Sequence, residues 1–562
     1  MLSKSVVIFL ILWAGSVSEA QQPAKASRYY DSRVRLSGPA IATMQKIDPE
    51  RIRAHVRFLA HDLLEGRGTG QRGGAIAAEY MATQFALAGL RPAGDSGTYL
   101  QSVPLVGLTP LPETTFSLVP DKGSAIDLQP LEQYVAYDQT QQPTSDVDAE
   151  VVYVGYGIEA PEYNWDDYKG VDVHGKILLM LVNEPPSEDV KFFQGKALTY
   201  YGRWTYKYEE ALRKGAAGAI LIHKTDMASY PWDVVRNSNS GEKSYLKLEG
   251  KPALKVAAWI QLDVARQLAN RGGHNLDQMM EEAQSRDFRP VTLPVKLKAH
   301  MATKVRPFES SNVLAFLPGS VKGEAILYTA HYDHLGVHPD MPGDNIYNGA
   351  DDNATGCGIL LELARVYAES LVKPHRSILF ASVTAEEQGL LGSEYLVKHL
   401  PIPANKISLG LNYDDVPPLG APEEVEVVGA ERTTFYPAIQ ALAQTFRLSI
   451  RPDSQPEAGH YYRSDQFSLA QAGIPAFAIN EGIKYKGHDV AWGQKQADEF
   501  TAKHYHQPSD EYRPWMDFTG DAVMARFGFA VGWEAAVQQQ LISWQKGDEF
   551  APPRTNRASG RE

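Results

Sequence analysis

From residue 310 onward, short apolar runs alternate with longer helical patterns, and this alternation restricts the fold of the 562-residue chain more than any other feature. Segments 325–329, 376–383, 406–412 and 475–479 read as strands; 354–371, 390–400, 433–446 and 521–545 read as helices. Strands that take turns with helices build an α/β fold, a sheet with helices on both faces. In open sheets of this kind ligands bind beyond the carboxyl ends of the strands. The loops after those strands are therefore the first place to look for chemistry.

Acidic and histidine residues fall there. His331-Tyr332-Asp333 follows strand 325–329, Glu386-Glu387 follows 376–383, and Asp414-Asp415 follows 406–412. Asp351-Asp352 sits just before a helix, and His506 lies next to a turn containing Pro508. Each piece alone has a plain explanation: an acidic pair before a helix is commonly an N-cap, and a Glu-Glu pair after a strand is commonly a solvated turn. Their order and their placement at strand ends are hard to reproduce by chance. Zinc takes imidazole and carboxylate ligands and keeps an open position when it is catalytic. Two metals held close together need a carboxylate to bridge them. His331, Asp351, Glu387, Asp414 and His506 supply two imidazoles and three carboxylates. One bridging carboxylate then leaves each metal one histidine and one terminal carboxylate. Asp333 would orient His331, because a ligand histidine donates its other N–H to such a partner. The same donors suit manganese or cobalt.

The rest of the chain divides into segments. Residues 1–20 read as a signal peptide, with Lys4 before a short apolar run and cleavage after about Ala20. Residues 21–46 are expected to be a linker and 47–130 the first part of a catalytic domain. A helix is expected from Asp48, with Pro49 at its first position. The loop that follows holds a formal G-x-G-x-x-G from Gly68 to Gly73, but a helix and not a strand precedes it, so a connecting loop is expected and not a dinucleotide site. Residues 131–303 read as an inserted β-rich module, with strands at 150–156, 176–182 and 219–223, a crossover helix at 208–214, and no tight constellation of titratable residues. Residues 304–547 complete the catalytic domain, and 548–562 form a tail expected to be disordered.

Composition excludes several classes. A net charge of −13 argues against a general nucleic-acid binder. No stretch offers a stable membrane span once the signal is removed. Cys357 is the single cysteine, so no intrachain disulfide forms. A secreted or periplasmic bacterial protein without staples fits. There is no H-E-x-x-H and no G-x-S-x-G. The sequence leaves monomer and homodimer open.

HYDHLG at 331–336, GADDNATG at 349–356, TAEEQGLLGS at 384–393, LNYDD at 411–415 and YHQPSDEY at 505–512 together resemble the motif series of the co-catalytic zinc exopeptidases. That family includes secreted bacterial aminopeptidases, glutamate carboxypeptidase II and the glutaminyl cyclases. The resemblance covers roughly residues 45–545 and implies a mixed, mostly parallel sheet. The inserted module resembles a protease-associated domain. The resemblance implies two Zn2+ ions per chain and peptide substrates. It implies that His331 and Asp414 hold one zinc, that Glu387 and His506 hold the other, and that Asp351 bridges them with a cis bond to Asp352. It also implies that Glu386 is the general base and that Tyr505 stabilises the oxyanion. Ser464-Asp465 resembles a further motif of the family, without an assigned role. Asp415 stands where other members often have an apolar residue, a departure that bears on the choice of Asp414 over Asp415. Aminopeptidase action is the expectation. A carboxypeptidase or dipeptidase, which would need a pocket cation such as Arg432 or Arg463, and a non-catalytic binding protein are the alternatives.

Overall fold

The computed structural model describes residues 36–551 apart from 229 and 340. The expected signal peptide and most of the expected linker and tail lie outside the described residues.

Strands Ala476–Ala478, Ile407–Asn412, Ala325–His331 and Ser377–Val383 lie side by side in that order and pair in parallel. Val291–Leu317 then pairs antiparallel with Ser377–Val383. Every residue of Ala325–His331 and Ser377–Val383 is buried. Successive side chains point to opposite faces. Ile326, Tyr328 and Ala330 pack into a core with Ile52, Leu360 and Phe529, from helices Pro49–Leu59, Gly356–Ala368 and Thr519–Val537. Ala325 and Leu327 pack on the other face with Leu396 and Leu469, from Leu391–Lys398 and Gln466–Gln471. The sheet is therefore covered on both sides, and its strands end in loops that have only one open direction.

Val291–Leu317 is a 27-residue strand that runs through both halves of the molecule. Its C-terminal part pairs with Leu100–Pro110 through Thr303↔Pro110 to Val313↔Leu100, and its N-terminal part pairs with Thr115–Pro120 and Thr144–Tyr153. The chain thus leaves the first sheet region near Pro110 and returns near Thr303. Beyond that crossing, Ile177–Leu181, Gly218–His223 and Val256–Gln261 continue the sheet in parallel. Two apolar clusters flank these strands, one on each face.

Sequence reading found no tight group of titratable residues in this inserted region, and the fold assembles one. Lys207 is fully buried and donates from Nζ to the Asn183 carbonyl at 2.9 Å. Burial pulls its pKa down, opposed by the nearby carboxylates of Asp167, Glu184 and Glu210. These residues are far apart in sequence, so no motif announces them.

Two expectations at the ends are corrected. Part of the expected linker is helix Gly38–Met44, capped by Ser37 and burying Ala40 and Thr43. The start of the expected disordered tail is anchored: the Arg432 guanidinium donates to Asp548 Oδ2 at 2.7 Å and Glu549 Oε1 at 2.8 Å. Among the described residues, no helix is long and apolar enough to cross a membrane.

Candidate metal centre

Three loops leave the carboxyl ends of adjacent strands, at residues 331–334, 384–387 and 413–415, and carry their side chains to one sheet edge. A fourth group comes from the segment preceding helix Gly356–Ala368. The fifth comes from farther away. Helix Val490–Lys503, which sequence reading missed, leads directly to Tyr505 and His506. Gly493 is its only buried residue, so it has no apolar stripe to signal its period.

Two imidazoles face one carboxylate between them. His331 Nε2 lies 3.0 Å from Asp414 Oδ1 and 3.2 Å from Asp352 Oδ1. His506 Nε2 lies 3.2 Å from Asp352 Oδ2 and 3.2 Å from Glu387 Oε2. Zinc binds such atoms at ~2.0–2.2 Å, so two ligands at the tetrahedral angle stand about 3.3 Å apart. All four separations fit that spacing. The donor set, with Asp352 offering one oxygen to each side, therefore fits a pair of divalent ions.

The structure corrects the expected bridge. The carboxylate between the histidines belongs to Asp352, not Asp351, and the non-proline cis bond is Asp352–Asn353, not Asp351–Asp352. The backbone explains the choice. The Asp510 carboxylate accepts the N–H of Asp351 at 3.0 Å and the N–H of Asp352 at 3.1 Å, which fixes the turn of this segment. Consecutive side chains then diverge. Asp351 is buried, and among the described residues its Oδ1 has no hydrogen-bond partner. Burial pushes its carboxyl well up, helped by Asp510 and Asp521. For Asp352, burial pushes upward too, but the imidazoles of His331, His334 and His506 outweigh it and hold the group well down.

Asp333 also acts differently from the expectation. His331 Nδ1 is 3.2 Å from the Asp333 backbone carbonyl, while the nearest carboxylate oxygen is 3.8 Å away. The Asp333 carboxylate instead accepts the Glu386 backbone N–H at 3.1 Å and the Thr69 hydroxyl at 2.9 Å. It therefore orients the loop of Glu386. Of the pair Asp414 and Asp415, it is Asp414 that faces His331, and its second oxygen accepts from the Ser464 hydroxyl. Ser464 in turn accepts from Asn412 Nδ2 at 2.8 Å, and Asn412 accepts from Thr329 at 2.6 Å. This chain of donors gives Ser464 a place that the sequence did not supply.

A cavity opens at this edge, and Glu386 lines it together with His331, Asp352 and Asp414 but belongs to neither histidine. Burial raises its pKa well above the usual carboxylate range, against the pull of His331 and with Asp414, Glu387 and Asp465 adding to the rise. Glu387 beside it goes the other way. Burial and Asp352 push it up, but His506 and His334 prevail and bring it to about 2. Adjacent glutamates are thus set apart, one poised to take a proton and one held as an anion. Tyr505 lines the cavity as well, 42% exposed, with its ring stacked on His506 at 4.0 Å between centroids. The cavity measures about 790 Å³, and all of its lining residues lie between His331 and Met516. None of them comes from the inserted region.

The Gly-rich loop read as a mere connection holds the centre from behind. Arg67 is fully buried. Its guanidinium donates to the carbonyls of Leu59 at 2.8 Å, Tyr332 at 2.7 Å, Asn348 at 2.5 Å and Gly349 at 2.8 Å. Tyr332 follows His331, and Asn348-Gly349 precede the acidic pair. One planar fork thus ties the two loops together.

An α/β sheet that gathers imidazoles and carboxylates at its carboxyl edge places this chain in the class of metal-binding α/β domains. More narrowly, residues 312–526 match the model of Peptidase family M28, a span that is less than half of the chain but holds every candidate donor. A probable zinc metalloprotease of Pyrenophora tritici-repentis is 28% identical over 227 residues, which cover 33% of this chain and 45% of the relative. Leupeptin-inactivating enzyme 1 of Streptomyces exfoliatus is 26% identical over 221 residues, covering 38% of this chain and 47% of that protein. The matches to these two relatives thus span about half of their length. Among solved structures, the aminopeptidase from Aneurinibacillus sp. strain AM-1 is similar, with a TM-score of 0.49 and 20% identity, covering 89% of this chain and 97% of that one.

Proposed function

We propose that this chain is an exported two-zinc exopeptidase, an aminopeptidase that removes N-terminal residues from peptides. The observation that carries the reading is the set of four nitrogen–oxygen separations of 3.0–3.2 Å around two imidazoles that share the Asp352 carboxylate. His331, Asp352 and Asp414 would hold one ion, and His506, Asp352 and Glu387 the other. Bound zinc would supply Lewis acidity and lower the pKa of a shared water. Glu386, with its raised pKa, accepts a proton from the attacking water and returns it to the departing amine. The Tyr505 hydroxyl, on the cavity wall beside His506, donates to the developing oxyanion. The Asp333 carboxylate holds the Glu386 backbone in place throughout. The inserted region, which resembles a protease-associated domain, contributes no wall to the cavity and acts as a spacer or recruiting module.

The test is cleavage of amino-acid p-nitroanilides and their N-acetylated counterparts by the mature protein, with chelator and with zinc restored. Cleavage of free-amine substrates only, lost in chelator and rescued by zinc, is expected. A zinc-loaded protein that ignores every free-amine substrate would sink the aminopeptidase reading.

One observation favours a second reading, a carboxypeptidase or dipeptidase. Arg463 lines the cavity, and its guanidinium donates to the Ala458 carbonyl at 2.7 Å. In this reading it would meet a substrate carboxylate. Arg432, the other cation considered for that role, is engaged by Asp548 and Glu549. Cleavage of blocked-amine, free-carboxylate peptides, lost in Arg463→Gln, would establish this reading instead.

A further inference from the structure

His334 is a third imidazole at the centre, and neither the mechanism above nor the sequence reading gives it work. It is 1% exposed, and its ring meets His506 edge to face at 5.8 Å. Its Nδ1 lies 2.6 Å from Glu387 Oε1 and 3.9 Å from Asp352 Oδ2. With those two carboxylates it forms a group compact enough to hold an ion in place of His506. Spacing decides between ligand and neighbour. Two atoms bound to one tetrahedral zinc stand about 3.3 Å apart. At 2.6 Å, Nδ1 is too close to Glu387 to share an ion with it and fits a charge-assisted hydrogen bond instead. At 3.9 Å, it is too far from Asp352. His506, at 3.2 Å from both carboxylates, meets the spacing on each side.

The three carboxylates then follow one rule. Glu387 turns Oε2 to His506 and gives Oε1 to His334. Asp414 turns Oδ1 to His331 and gives Oδ2 to Ser464. Asp352 alone turns both oxygens to histidines. Each terminal carboxylate thus has one oxygen for an ion and one held by a side-chain donor, while the bridging one has none to spare. The fold makes room for this contact. A Cβ on Gly349, at φ +57°, would come within 2.6 Å of His334 Cγ. The backbone N–H of His334 donates to the Arg67 backbone carbonyl at 3.3 Å, so the residue is tied to the segment whose guanidinium clamps the loops. Among the described residues its buried Nε2 has no hydrogen-bond partner, so the contact at Nδ1 is the one that uses the ring.

We infer that His334 is a positioning residue for one of the two metal sites: its Nδ1–H holds Glu387 with Oε2 toward the ion shared with His506, and it does not itself bind that ion. The inference rests on the two-zinc reading. Without the hydrogen bond Glu387 is free to rotate, and the site it serves loosens while the His331 site keeps its own donors.

The experiment is zinc titration of the full mature chain, with stoichiometry and affinities read against a competing chelator. Wild type is expected to bind two ions. His334→Phe is expected to weaken one of them by about 10–100-fold and leave the other unchanged. His334→Asn, whose side-chain amide sits near the position of Nδ1, is expected to recover most of that loss. Unchanged binding of both ions in His334→Phe, or equal loss of both, would overturn the inference. Binding of fewer than two ions by wild type would instead defeat the two-zinc reading itself. A measurement that needs no variant stands beside it. In cadmium-113-loaded, nitrogen-15-labelled protein, metal–nitrogen coupling is expected at His331 and His506 only. Coupling at His334 would make it a ligand and refute the inference.

Discussion

Asp351 and Asp352 are neighbours of the same chemical type, and both are buried, yet they end in opposite electrostatic states. The difference is where each carboxylate points. Asp352 meets imidazoles and stays an anion; Asp351 meets Asp510 and Asp521 and is pushed toward its neutral form. Asp352→Asn should therefore lose bound zinc, whereas Asp351→Asn should keep it, because an amide replaces a carboxyl already held neutral. Metal analysis of the two purified variants checks this, and the reverse pattern would restore Asp351 as the bridge. Glu386→Gln should retain its full zinc complement and lose turnover by about 10²–10⁴-fold, the usual worth of a positioned acid–base group. Steady-state rates on zinc-loaded enzyme measure it, and near wild-type turnover would remove Glu386 from the chemistry.

The elements that matter most are a loop and a helix that carry none of the bridging atoms. The loop around Arg67 was legible as Gly-rich, but not as a clamp, because three of the four carbonyls it holds come from distant segments. A buried guanidinium that loses its place leaves those carbonyls unpaired, and each such group costs roughly 1–3 kcal/mol. Arg67→Met should therefore destabilise the protein by on the order of 3–5 kcal/mol and weaken zinc binding along with it. Denaturant unfolding in chelator isolates the stability part. A loss below about 1 kcal/mol would mean that the loops hold themselves. Thr69→Val is gentler. It removes one donor to Asp333 and should lower kcat while zinc content stays intact, since Asp333 supports Glu386 and no ligand carboxylate. Helix Val490–Lys503 makes the complementary point. It presents almost no apolar surface to the core, so sequence periodicity passes over it, yet it leads to Tyr505 on the cavity wall and to His506 beside Asp352 and Glu387.

At the scale of the whole molecule, one long strand joins two sheet regions with separate buried clusters, and the inserted one carries its own pH dependence. Burial raises the Glu184 pKa from 4.5 to about 7, against the hydrogen bonds it accepts from Thr199. A carboxyl raised on folding contributes stability that is fully present below its unfolded pKa and is lost as pH rises through the folded value. The window is therefore from 4.5 to about 7. Glu184→Gln removes that loss. Its Tm relative to wild type should rise between pH 5 and pH 8, by an amount corresponding to on the order of 2–3 kcal/mol. A Tm difference that stays flat across this range would show that the Glu184 environment does not act as described.

The sequence by itself determined the α/β alternation, the strands that end at the site, and the residue types that gather there. Those are local properties: apolar runs of strand length, helical periods, and acids or histidines at fixed offsets after them. His331, Glu387 and Asp414 could be picked out on that basis, while His506 lies beside a turn and the role of Glu386 comes with the resemblance of the motif series. Only the tertiary structure decided which of two adjacent aspartates faces the histidines, that Asp333 serves Glu386 more than His331, and that Ser464, Asp510, His334 and Arg67 support the centre. The reason is physical. A backbone turn selects which of two neighbouring side chains points inward, and that turn is fixed here by the hydrogen bonds its N–H groups donate to the Asp510 carboxylate, 158 residues further along the chain from Asp352. Spacing along the chain carries the identity of the donors, while their direction is set by contacts that exist only once the chain has folded.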